Sequence, residues 1–327
     1  MVVVTGHGGY VPLYRVDRTD VADQHGGRAS GESAVPARDE NHVTMAAEAA
    51  ETALSRAGVD GGSLDGVFAA SVTDPFAEHG IAAHVAYRLG AEGDLRTGDF
   101  RGTLRAGTDA FAAAHHFVEA TDGTALLVAV DVMPASADDD DGTPDAGAGA
   151  AALVLGPESD EAVATVEGLG QETTGFVERH RDHGETAVTG DSRFERRHGV
   201  APAAGTAIDR AGGDADRAVA GAPDGRMASA ALGTVDAEHV STFGDVGHAG
   251  TASPLLDLVH AFETGTAGES VLLVVYGTGG ADAVSFATGS GVGRNAGATV
   301  EELIDAKEQV SYAKHLEYRD PVEYEGT

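Results

Sequence analysis

The segment GDFRGTLRAGTDAFAAAHHF (98–117) reads as a strand end, a tight turn and a helix, the place where many α/β enzymes mount a nucleophile. Two hydroxyls stand there, Thr103 and Thr108, and either attacks only if a base lies within hydrogen-bond reach. The position where the nucleophile is sought holds Leu104. His115 and His116 lie about three helical turns beyond it, too far along the axis to serve Thr103, and read as helix-surface or interface residues. In bland terms Thr103 caps the first turn and Thr108 is a packed hydroxyl. HRDH (180–183) has metal-ligand residue types, but its acidic neighbours and missing third ligand make it a solvated charged loop, so no metal is expected. YGTGGAD (276–282) lacks the Lys-Ser/Thr ending of a phosphate loop. Cysteine is absent, which removes disulfides, thiolate metal sites and any cysteine nucleophile together.

The elements that position these groups must come from a chain of 327 residues, long enough for one large domain or two fused halves. Hydrophobic residues make up 42 %, yet Trp is absent and aromatics are 5 %, so the core is built from Ala, Val and Leu. The formal charge is −32, from 53 acidic and 21 basic residues, and only Lys307 and Lys314 are lysines. Scattered single acids, with one block at ADDDD (137–141), point to a protein soluble in concentrated salt, where a short screening length tolerates self-repulsion. The absence of a basic patch disfavours nucleic acid. No apolar run reaches membrane-spanning length and the N-terminus lacks a charged signal region, so the expectation is a soluble protein of a high-salt cytoplasm, away from membranes.

Along the chain, MVVVTGHGGYVPLYRV reads as a buried strand followed by a Gly-rich turn, and 19–41 as a polar surface loop. Val43, Ala46, Ala50, Leu54 and Ala57 share one face of a helix capped by Asn41. Strands are predicted over 64–72, 124–133, 147–157 and 161–173, and helices over 80–90, near 191–211, near 226–233 and over 253–263. A hairpin is expected over 269–289, and a tail that is helical and then extended over 300–327. SADDDDGTPDAG (136–147) reads as an acidic surface loop. Two βαβ-rich runs of similar length predict a layered α/β fold of pseudo-duplicated halves, 1–157 and 158–299, with 300–327 as a C-terminal helix and tail. No residue-level repeat is legible.

LRAGTDAF (104–111), DAGAGAAALVLG (145–156), VGHAGTASPLLDL (246–258) and LVVYGTGGADAVSF (273–286) together resemble the thiolase superfamily, most closely archaeal hydroxymethylglutaryl-CoA synthase. QVSYAKHLEYR (309–319) resembles that family's C-terminus. The resemblance runs in order over nearly the whole chain. It implies a five-layered αβαβα fold, a dimer and a tunnel for the pantetheine arm of coenzyme A. In such enzymes a cysteine at a helix N-terminus attacks an acyl thioester, helped by a histidine, a Glu or Asn, and backbone N–H groups that hold the oxyanion.

Carried over position by position, the cysteine falls on Leu104, the acid/base glutamate on Val72, and the histidine on Gly221. Asp74, two residues on from Val72, has the wrong reach. His248 takes the place of the family's Asn, where His or Asn polarises a thioester carbonyl. Three losses at separated positions favour a catalytically silent protein that binds an acyl-CoA or scaffolds a partner. The rival is an active acyltransferase using Thr103 or Thr108 as nucleophile with His248 as base. The resemblance places Arg105, Thr108 and Gly279 near the acyl end or tunnel, with a Gly279-loop N–H as oxyanion donor. It implies a coenzyme A thioester as ligand and no covalent cofactor. Implied partners are a homodimer mate, a catalytic thiolase-fold paralogue, or a zinc-ribbon OB-fold protein supplied in trans.

Overall fold

The computed structural model describes residues 1–76, 78–135, 143–177, 179–180, 188–233 and 235–319. HRDH from 181 onward and the acidic stretch 136–142 lie outside them. The chain opens on β1 (Val2–Tyr10), and its glycines belong to the strand and form no turn. The reason is steric: a Cβ on Gly6 would stand 2.2 Å from the Ala53 carbonyl oxygen, and one on Gly8 2.3 Å from that of Ala49. Only glycine lets α2 (His42–Ala57) lie this close to β1. After β2 (Tyr14–Asp17), the region 19–41 expected as loop carries most of α1 (Arg18–Gln24) and all of β3 (Glu32–Val35). Their small apolar cluster of Val16, Val21 and Val35 is too short to carry a periodic sequence signal. α2 begins on a capping box at Asn41 and stops at Gly58, whose φ of 68° suits the left-handed helix end.

The first half continues through β4 (Gly66–Ser71), α3 (Ala82–Arg88), β5 (Arg96–Arg101), α4 (Ala106–Thr121), β6 (Ala125–Val132) and β7 (Ala148–Pro157). The second runs through β8 (Ala164–Thr173), β9 (Arg179–His180), β10 (Val188–Thr189), α5 (Ser192–Glu195) and α6 (Ala201–Ala211). It goes on through β11 (Arg217–Gly221), α7 (Gly225–Ala231), β12 (Glu238–His239), α8 (Phe243–Val246), α9 (Ala252–Thr264), β13 (Ser270–Gly277) and β14 (Gly280–Thr288). β11 is a strand that patterning missed: five residues, buried throughout, have no polar face to alternate with. The tail forms α10 (Val300–Asp305), β15 (Glu308–Gln309), which pairs with β2, and α11 (Tyr312–Arg319).

Among the described residues the main sheet is ordered β12-β11-β13-β14-β8-β1-β7-β6-β4-β5. Its two halves meet at β1 and β8, antiparallel, through Val3–Thr165 and Val4–Ala164. Read outward from that joint, each half places its first, fifth, fourth, second and third strands in the same sequence. The duplication is therefore topological. It also has a residue signature, since Gly168 and Gly170 of β8 abut Ala211 and Ala207 of α6 as Gly6 and Gly8 abut α2. Three apolar clusters fill the layers. α2 and α3 cover one outer face, α6 and α7 the other, and α4 and α9 lie between the halves with Phe111, Phe262 and Phe286 in edge contact.

Candidate functional site

Of the four positions that the resemblance assigns, three lie at or just beyond the C-terminal ends of strands, where open α/β sheets place their ligands, and the fourth lies in the turn before a helix. Val72 follows β4, Leu104 follows β5, Gly221 ends β11, and His248 precedes α9. Leu104, Gly221 and His248 line one cavity of about 210 Å³, with Thr242, Pro254 and Asp257 among the other walls. Val72, Thr103, Arg105, Thr108 and Gly279 do not line it.

Each of those five has a local reason for its place. Thr103 packs against Gly277, where an added Cβ would meet its Oγ1 at 2.8 Å, and that oxygen accepts a long bond from the Arg105 N–H (3.3 Å). Arg105 grips Asp282 through two parallel bonds of 2.9 and 2.7 Å, the planar fork that matches guanidinium to carboxylate. Thr108 donates to the same carboxylate at 2.6 Å and also approaches the Arg105 carbonyl. The Gly279 N–H, in the β13–β14 turn, donates to the Phe176 carbonyl at 3.1 Å. The Val72 N–H donates to Asp131 at 2.9 Å. Asp74 pairs with Arg101 at 3.1 Å. His115 and His116 sit on α4 beside Glu119, their ligand atoms within 4.8 Å of one another.

Asp131, fully buried at the end of β6, fixes the floor of the site. One carboxylate oxygen accepts from Ser71 Oγ, the Val72 and Thr73 N–H groups and Thr73 Oγ1; the other accepts from the Thr251 N–H and Oγ1. One side chain thus clamps the end of β4 to the turn that carries His248. Gly250 completes the clamp: its φ is 55°, and a Cβ there would stand 2.3 Å from the Asp131 carboxylate. From behind, Arg18 of α1 stacks on Phe243 at 4.3 Å and donates to its carbonyl at 2.7 Å, so α1 braces a cavity wall.

His248 is part-buried against the cavity, and its imidazole has no hydrogen-bond partner among the described residues. Burial first, and then the charge of Arg179, push its pKa down to about 4, so it is neutral at physiological pH. Gly221 faces Pro254: a Cβ would lie 2.7 Å from the proline ring, leaving no room for a histidine unless that ring moves. Sequence reasoning missed Asp257. It is 4 % exposed, and burial pushes its pKa up to about 7 against the two bonds of 2.7 Å that Oδ1 accepts from Thr242. The available signal was a lone acid inside the apolar helical run SPLLDLVHAF.

A twice-repeated strand order, central helices shared between the halves, and a cavity at the strand ends define the thiolase-fold condensing enzymes as a class. No family model matches the chain. Solved structures agree on the fold: the chain superposes with a TM-score of 0.81 (21 % identity, 98 % of this chain and 92 % of that one) on MvaS in complex with 3-hydroxy-3-methylglutaryl coenzyme A. The TM-score is 0.78 against 3-oxoacyl-[acyl-carrier-protein] synthase III from Aquifex aeolicus, at 17 % identity over 88 % of this chain and 100 % of that one. The hydroxymethylglutaryl-CoA synthase of Pyrococcus horikoshii is 30 % identical over 97 % of this chain and 96 % of that protein. That of Methanopyrus kandleri is 28 % identical over 99 % and 98 %. The chain belongs to the hydroxymethylglutaryl-CoA synthase family.

Proposed function

We propose that this chain is a catalytically silent member of its family, which holds an acyl-CoA in the cavity and works as a binding or scaffolding subunit. One observation carries the reading: Leu104 and Gly221, where the resemblance puts the nucleophile and the histidine, line the same cavity as His248, which supports a pocket kept without those reactive groups. Removing one member of a catalytic unit costs orders of magnitude in rate, and removing several leaves mainly binding effects. A hydroxyl substitute has little support, because Thr108 is committed to Asp282 and Thr103 packs on Gly277. The acidic surface supports work in a high-salt cytoplasm, either as a homodimer or beside a catalytic paralogue or an OB-fold protein.

Calorimetry with acetyl-CoA and acetoacetyl-CoA in molar KCl, paired with condensation and thiolysis assays, tests this. Saturable binding with no turnover above the blank is expected, and Leu104→Cys acquires an acetyl group by mass spectrometry without condensing. Native turnover that disappears in Thr103→Ala overturns the proposal.

A further inference from the structure

The charge pattern of the cavity specifies the acyl group more narrowly than the fold does. Its walls contain two carboxyl groups, Asp224 and Asp257, and no Lys or Arg. Asp224 caps α7, its Oδ1 accepting from the Arg226 and Met227 N–H groups at 2.8 Å. Asp257 differs: both Thr242 bonds go to Oδ1, and Oδ2 has no donor among the described residues. An accepting oxygen left open in a cavity wall favours a ligand that brings a donor to it. Neither histidine of the lining supplies a compensating charge: burial lowers the pKa of both His248 and His239, which keeps them neutral at pH 8, and Arg179 reaches His248 from outside the lining. Much of the remaining wall is apolar, Leu104, Ala220, Ala222, Pro254 and Val275 among it, and suits a short aliphatic chain, beside the polar His239, Ser241 and Ser253.

We infer that the cavity selects an uncharged, hydroxyl-bearing acyl thioester, with the hydroxyl donating to Asp257 Oδ2, and rejects acyl groups that end in a carboxylate. This rests on the proposed acyl-CoA binding. It sets the chain apart from the neighbour solved with 3-hydroxy-3-methylglutaryl coenzyme A, whose acyl group carries both a hydroxyl and a carboxylate. Salt does not remove the discrimination, because buried charges are screened far less than exposed ones.

Calorimetry in molar KCl at pH 8, with Asp257 ionised, tests the inference with three ligands that share the coenzyme A part. 3-Hydroxybutyryl-CoA supplies the hydroxyl alone, butyryl-CoA neither group, and 3-hydroxy-3-methylglutaryl-CoA both. The expected order is 3-hydroxybutyryl over butyryl by about fivefold, and over 3-hydroxy-3-methylglutaryl by about tenfold or more, each good hydrogen bond or like-charge contact being of this size. Asp257→Asn, with its fold checked by circular dichroism, shrinks both ratios. Equal or tighter binding of 3-hydroxy-3-methylglutaryl-CoA, or ratios unchanged in a folded Asp257→Asn, overturns this inference and leaves acyl-CoA binding intact. Failure of all three thioesters to bind overturns the proposed function, and this inference with it.

Discussion

At the residue scale the site depends on two buried acids with different surroundings. Asp131 is satisfied on both oxygens, so Asp131→Asn turns an amide NH2 toward donors and leaves several buried N–H and O–H groups unpaired. A loss of about 3 kcal/mol or more follows, read as a lower urea midpoint, with weakened acyl-CoA binding as the His248 turn loosens. Asp257 and His248 give opposite pH effects. The folded state holds a proton on Asp257 up to about pH 7, against an ordinary value of 3.8, so this group's contribution to stability falls as pH rises between the two. His248 is neutral in the fold down to about pH 4, against an ordinary 6.5, so its contribution is complete above 6.5 and lost as pH falls toward 4. Asp257→Asn should therefore stabilise the protein at pH 8, by about 2–4 kcal/mol, and have little effect near pH 4. His248→Gln should flatten the acid limb instead. Urea midpoints across pH 4–8 separate the two variants.

At the element scale the close docking of helices on strands rests on glycine. Gly6→Ala and Gly170→Ala place a methyl 2.2 and 1.9 Å from backbone carbonyl oxygens of α2 and α6, and cost about 1–3 kcal/mol or more each. Gly205, within α6, has nothing within 4 Å of its Cβ position, so Gly205→Ala gains about 0.5–1 kcal/mol and serves as the control. A second joint is ionic: Arg56 of α2 and Glu263 of α9 pair at 2.7 Å with side chains 1 % exposed, while His7 of β1 turns Nδ1 toward the same guanidinium at 2.8 Å. The Val300 N–H donates to Glu263 at 2.8 Å, adding α10 to the joint. Glu263→Ala strands a buried guanidinium and should cost about 3–5 kcal/mol.

At the scale of the molecule, −32 charges on 327 residues repel one another, and added salt shortens the range of that repulsion from about 10 Å at 0.1 M to about 3 Å at 1 M. The melting temperature should climb steeply between 0.1 and 2 M KCl, and a flat scan would remove the halophilic reading. The described residues contain no helix long and apolar enough to cross a membrane.

The sequence alone determined the helices α2, α4 and α9 and the long apolar runs of β6 and β7, because 3.6-residue spacing and an extended apolar run are local properties. Segment order was enough to bring the thiolase fold into view, and residue identity at 72, 104 and 221, set against the resemblance, suggested the absent groups on which the proposed function rests. What tertiary structure decided was everything that depends on neighbours distant in the chain. The glycines of β1 look like a turn until α2 lies against them. β11 is too short and too uniformly buried to show a pattern. Thr108 and Arg105 look available until Asp282, more than 170 residues on, occupies both. Asp257 is an ordinary acid in one dimension and becomes a cavity group only because α9 carries it to the C-terminal ends of β5 and β11. Burial, pairing and pKa belong to the folded surroundings of a side chain, and the local sequence does not encode them.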